Sequence, residues 1–214
     1  MDDVSSLRRR ISGLTVGVLT DDFSLIHDLS LEFEKMGCTL VPLYEGEAIN
    51  KDLDCLILQK GKEAPPFVSK GPPTVGILPT PEMTADRSIA CSMGKFNPNK
   101  MVIGVDPGRR PGMAFLADGT LIKTLSAMKP EMVGEIIDEK ISAYLPKKSL
   151  VRLGIGDPKN RDVILSSIVS LGIPIEMVDE RRTTRGTRNR DQNAAAIIAR
   201  TLGNRIDPGN YWQR

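Results

Sequence analysis

Met101–Met113, MVIGVDPGRRPGM, is a short apolar run that ends on one carboxylate, Asp106, and passes straight into a Pro/Gly-rich turn. An apolar run of this length, bounded by Pro and Gly, predicts a buried strand. An acid at the far end of such a strand is costly unless it is paired, hydrogen-bonded or bound to a cation. The residues that follow, GMAFLADGTLIKTL, alternate with period two, and Asp118-Gly119 stands where a tight hairpin turn belongs. The stretch therefore predicts three meandering strands. Taken alone, Asp106 fits a turn cap in any α/β domain as well as a ligand site.

Downstream, Pro130-Glu131 opens a helical pattern, PEMVGEIIDEKISAYL, with apolar residues at Met132, Ile136, Ile137, Ile141 and Leu145. SLVRLGIGDP reads as a strand ending on Asp157, Asn160–Leu171 as a helix closed by Gly172, and IPIEMVDE as a strand ending on Asp179-Glu180. After a run of Arg and Thr comes an Ala-rich helix from about Asp191 to Leu202. The order from residue 101 is three meander strands, helix, strand, helix, strand, helix.

That order, with VDPG closing the first strand, resembles the RNase H-like superfamily, particularly RuvC-type Holliday-junction resolvases and their YqgF-type relatives. The resemblance covers residues 101–205. It implies an RNase H-like mixed sheet with flanking helices. It also implies that Asp106 is the metal-binding acid of the first strand, that Glu180 in VDERRTT matches the glutamate of a DER-x-T-T segment, and that Asp191 before AAA matches the acid of the final helix. For Asp157 the two relatives disagree: RuvC-type enzymes carry an acid on the fourth strand, and YqgF-type proteins usually do not.

Independently of any family, the element order gathers Asp106, Asp157 and Glu180 at strand ends and Asp191 at a helix start. In an open α/β sheet, ligands bind outside the carboxyl ends of the strands. Carboxylates crowded there repel one another unless hard cations lie between them, which favours Mg²⁺ or Mn²⁺ over zinc. Two such ions about 4 Å apart suffice for phosphodiester hydrolysis without a histidine. The chain has a single His27, which argues against a zinc site or a Ser/His/Asp triad. Strand alternation lets only one of Asp179 and Glu180 face the site, and the resemblance selects Glu180. A helix cap is the simpler role for Asp191, although its spacing to Ala194, Ala195 and Ile198 sets it on the core side.

Arg181, Arg182, Arg185, Arg188 and Arg190, interleaved with Thr183, Thr184 and Thr187, form a dense guanidinium run suited to phosphate contacts. Arg109 and Arg110 stand beside Asp106. Charge is uneven: residues 1–100 carry 11 Lys/Arg against 14 Asp/Glu, and residues 101–214 carry 18 against 13. The basic half is the one with the acid-ended strands, which leans toward a polyanionic partner, DNA or RNA. The expected activity is metal-dependent cleavage of structured nucleic acid by an endonuclease. Two alternatives compete: a non-catalytic module binding nucleic acid or protein on the same scaffold, and an actin-like nucleotide-binding protein, which would need a second comparable domain. A symmetric homodimer follows by analogy with resolvases.

Residues 12–96 predict a small parallel α/β domain. LTVGVLT, CTLVPLY, DCLILQ and TVGILP read as strands, and Phe23–Met36 as a helix ending at Gly37. This half is loosely similar to receiver domains of two-component signalling: Asp21-Asp22 fits their acid pair, but Gln59 occupies the acceptor position, so no phosphotransfer is expected. Gly61–Thr74 reads as a surface loop and Gly94–Lys100 as a linker. Met1–Ile11, with Arg8-Arg9-Arg10, reads as a solvated terminus. Cys38, Cys55 and Cys91 are odd in number and widely spaced, as expected of reduced thiols in a cytoplasmic protein. No apolar run reaches membrane-spanning length.

Overall fold

A computed structural model describes residues 3–46, 52–66, 71–179 and 190–206. The chain divides into two compact units, Ser5–Phe96 and Asn97–Arg214, the latter joined by Met1–Val4.

In the first unit, α1 (Val4–Ile11) precedes β1 (Thr15–Leu19), α2 (Phe23–Met36), β2 (Thr39–Pro42), β3 (Cys55–Leu58), β4 (Thr74–Gly76) and α3 (Pro81–Ser92). The four strands form an all-parallel sheet in the order β2-β1-β3-β4. Gly37 ends α2 at φ 76°, in the left-handed region that a residue without Cβ enters freely, and its N–H reaches the Glu34 carbonyl. Thr80 caps α3 through Met83 N–H, with Pro81 at the first helical position.

The expected solvated terminus is instead a helix. Val4, Leu7 and Ile11 recur at helical spacing and are buried, so α1 has an apolar face that the three adjacent arginines obscure in the sequence. All three cysteines are free thiols. Burial, aided by Asp54, pushes the Cys38 thiol up to about 11. Among the described residues no helix is long and apolar enough to cross a membrane.

The second unit contains β5 (Met101–Asp106), β6 (Gly112–Ala117), β7 (Thr120–Ser126), α4 (Val133–Tyr144), β8 (Ser149–Gly154), α5 (Pro158–Val169), β9 (Ile175–Val178), α6 (Arg190–Arg200) and β10 (Asn204–Ile206). Its six-stranded sheet runs β10-β9-β8-β5-β6-β7. β5, β6 and β7 pair antiparallel, β8 and β9 add in parallel beside β5, and β10 returns antiparallel. A meander extended in parallel from its first strand is the RNase H-like arrangement, so the chain forms the expected class: this mixed sheet preceded by a small parallel α/β unit.

β5 is central and covered on both faces, which is why its sequence is continuously apolar. The hairpin turns at Asp118 (φ 46°) and Gly119 (φ 80°), the pair of positive dihedrals a two-residue turn demands. The Asp118 carboxylate also accepts from the N–H groups of Asn99 and Lys100, 3.3 and 2.9 Å, tying the turn to the entry of β5.

The boundaries of β8 and α5 differ from expectation. β8 stops at Gly154, and α5 begins at Pro158 rather than Asn160, because proline suits the first helical position and Asp157 caps it. β10 lies in a stretch, GNRI, too short and polar to register as a strand until it pairs with β9.

Candidate functional site

The site is built on the face of the sheet covered by α6. In the pairing register Asp106 stands opposite Gly112, and Gly112 opposite Ser126. One row back, Gly104 stands between Ala114 and Arg152, and Arg152 beside Glu176. Residues two apart on a strand share a face, so Asp106 and Gly104 point the same way.

The two glycines let α6 lie flush against the strands. A Cβ at Gly104 would strike the Ala195 carbonyl and stand 2.6 Å from Ala199 N; one at Gly112 would strike the Asp191 carbonyl and stand 2.9 Å from Asp191 Cβ. The helix is therefore seated backbone to backbone. Its first turn, which carries Asp191, rests on Gly112, the cross-strand partner of Asp106. Asp106 is half-buried and Asp191 exposed. Gly104→Ala should cost roughly 2 kcal/mol by overpacking this contact. Urea unfolding should show a lower midpoint at an unchanged slope.

Both ends of α6 are tethered by polar groups. At the start, Gln192 accepts from the Thr124 hydroxyl at 3.2 Å and donates to Ser126 Oγ at 3.5 Å. At the end, buried Arg152 donates from Nη1 to the Ala199 carbonyl and from Nε to Glu176 Oε2, each at 2.8 Å. Partial burial works against ionisation of Glu176. The hydrogen bond and charge of Arg152, with Gly203 N–H and Lys100, outweigh it and hold the carboxyl below its ordinary value.

The other predicted residues fall as follows. Asp157 lies three residues beyond β8, not on its end. Both its oxygens are engaged by Asn160, Oδ1 by the backbone N–H at 3.2 Å and Oδ2 by the side-chain amide at 2.6 Å. Arg109 and Arg110 are exposed in the short turn between β5 and β6, where Gly108 N–H closes back on the Asp106 carbonyl at 2.9 Å. β9 ends at Val178, so alternation within the strand does not extend to Asp179. Arg190 is the first residue of α6. Glu180, Arg181, Arg182, Arg185 and Arg188 lie outside the described residues.

Part of the chain is similar to the solved structure of Thermus thermophilus RuvC. The likeness covers 50% of this chain and 99% of that chain, at 11% identity and a TM-score of 0.35. No family model and no curated protein matches the sequence.

Among the described residues no group of three or more His, Cys, Asp or Glu side chains is placed to hold a metal ion. The predicted acids whose backbone segments meet are Asp106, paired with Gly112, and Asp191, whose turn is seated on Gly112. Mg²⁺ is commonly bound by one or two carboxylates together with water and substrate phosphate oxygens.

Sequence reasoning missed the Arg152–Glu176 pair. A signal existed: SLVRLG and IPIEMV each place one charge inside a buried strand, and the two charges are opposite. Only the register shows that they are adjacent.

Proposed function

We propose that this protein is a divalent-metal-dependent nuclease acting on phosphodiesters in structured nucleic acid. The observation that carries this reading is the seating of the Asp191 turn of α6 on Gly112, the strand partner of Asp106. We read Asp106 and Asp191 as a carboxylate pair beside the exposed Arg109-Arg110 turn. Asp106 and Asp191, with Glu180 as the further acid, would hold Mg²⁺ or Mn²⁺. When bound, such an ion supplies charge stabilisation and lowers the pKa of water.

The chain's own residues have separate tasks. Gly104 and Gly112 admit α6 close enough to aim Asp191. The arginine turn offers planar donors to phosphate oxygens next to the acids. Arg181, Arg182, Arg185, Arg188 and Arg190 would extend this backbone grip. Asp157 is assigned to capping α5.

One observation favours a second function, a non-catalytic binding module: no three described acids converge. Incubating the full chain with labelled four-way junctions, duplex DNA, single strands and structured RNA, in Mg²⁺, Mn²⁺ or EDTA, separates the two. Cleavage that disappears in EDTA is the expected result, and the substrate cut identifies DNA or RNA. Binding of any of these without cleavage in either metal would overturn the nuclease in favour of the module.

A further inference from the structure

The parallel sheet of the first unit has its own site geometry. From β1 the chain leaves toward β2 on one side, and from β3 toward β4 on the other, so the carboxyl ends of β1 and β3 flank a topological switch point. Ligands of open α/β sheets bind at such a point. Here a crevice of about 530 Å³ opens at these ends. That volume is in the range of small-molecule sites.

Its lining is divided. Leu25, Leu58 and Ile77 supply apolar surface, while Asp22, Gln59 and Lys60 supply polar groups. Gly76 closes one side with an exposed backbone, and a Cβ there would meet nothing within 4 Å, so a flat group can approach it closely.

The hydrogen bonds decide what remains available. Gln59 Oε1 is saturated by the Thr20 hydroxyl at 2.7 Å and Asp21 N–H at 3.0 Å, which leaves its amide NH₂ as a donor. Asp22 Oδ1 accepts from Leu25 N–H at 3.0 Å, and Oδ2 has no partner among the described residues. Asp21 is spent on Lys62, which also bridges to Glu45, at 2.7 and 3.1 Å. Lys60 forms no ion pair among the described residues.

The crevice thus offers one acceptor, an amide donor, one cation and an apolar wall. A bare phosphate would find a single lysine facing a carboxylate. A divalent cation would have only Asp22, since Asp21 is neutralised. A ligand with a planar body, hydroxyls and an anionic end matches every group.

We propose that this crevice binds a nucleoside phosphate, its base against Leu25, Leu58 and Ile77 with Gln59 at the base edge, its ribose hydroxyls on Asp22 and its phosphate on Lys60. Isothermal titration of the full chain with the four ribonucleoside monophosphates, the corresponding nucleosides and inorganic phosphate tests this. At least one monophosphate should bind saturably, its nucleoside about tenfold more weakly, and phosphate alone not at all.

Lys60→Ala should bring the monophosphate down to the nucleoside's affinity and leave the nucleoside unchanged. Gly76→Val, which fills the crevice from an exposed strand end, should abolish binding of both, with thermal unfolding checking that the fold persists. Absence of saturable binding by every nucleotide would overturn the proposal. So would binding indifferent to both substitutions, or phosphate binding as tightly as the nucleotide.

Discussion

Asp106→Ala is expected to abolish metal-dependent cleavage, a loss of roughly 10³-fold or more, while the melting temperature moves by only a few degrees. Asp106 ends the central strand, half-exposed, and the strand's burial is carried by Met101, Ile103 and Val105. The apolar burial of β5 therefore does not depend on this carboxylate. Asp191→Ala should lose cleavage to the same degree, and its stability cost is limited to an acid at the start of a helix, about 0.5 kcal/mol. Asp157→Ala should behave in the opposite way. It removes the cap of α5 and should destabilise by about 1 kcal/mol with cleavage intact. Single-turnover cleavage assays beside thermal unfolding give both numbers for each variant. Wild-type cleavage by Asp106→Ala would remove the acid pair from the mechanism, and a dead Asp157→Ala would return that residue to the site.

Arg152→Met should be the most destabilising of the substitutions considered, by about 3 kcal/mol, because it leaves Glu176 and the Ala199 carbonyl without their partner. The double replacement of Arg152 and Glu176 by methionine should recover most of that loss, since no buried charge is then stranded. A urea-unfolding double-mutant cycle measures the coupling; additive losses would show that the pair does not act as a unit. The same pair sets a pH dependence. The Glu176 pKa is lower folded than unfolded, so its contribution is fully present above the ordinary glutamate value, ~4.3, and is lost as pH falls through the depressed folded value. Wild-type stability should therefore fall more steeply below that point than the stability of Glu176→Gln.

Much of this is written in local sequence. The continuous apolar run of β5, the Asp118-Gly119 turn, the end of α2 at Gly37 and the alternation of elements after residue 101 each follow from side-chain period and backbone permissiveness, which act within a few residues. The sequence by itself thus determined the class, an RNase H-like sheet behind a small parallel unit, and nominated Asp106 and Asp191. It misjudged α1, because three arginines mask an apolar face that helical geometry alone aligns. It also set Asp157 on a strand end, where proline chemistry had already committed it to a cap.

Tertiary structure alone decided which groups meet. Gly104 and Gly112 look like ordinary strand glycines until α6 lies on them, and Arg152 and Glu176 look like misplaced charges until the parallel register sets them side by side. Those pairings depend on contacts between residues 24 to 95 positions apart, from Arg152–Glu176 to Gly104–Ala199. No local propensity encodes such contacts; they are settled only when buried surface, register and charge are satisfied together.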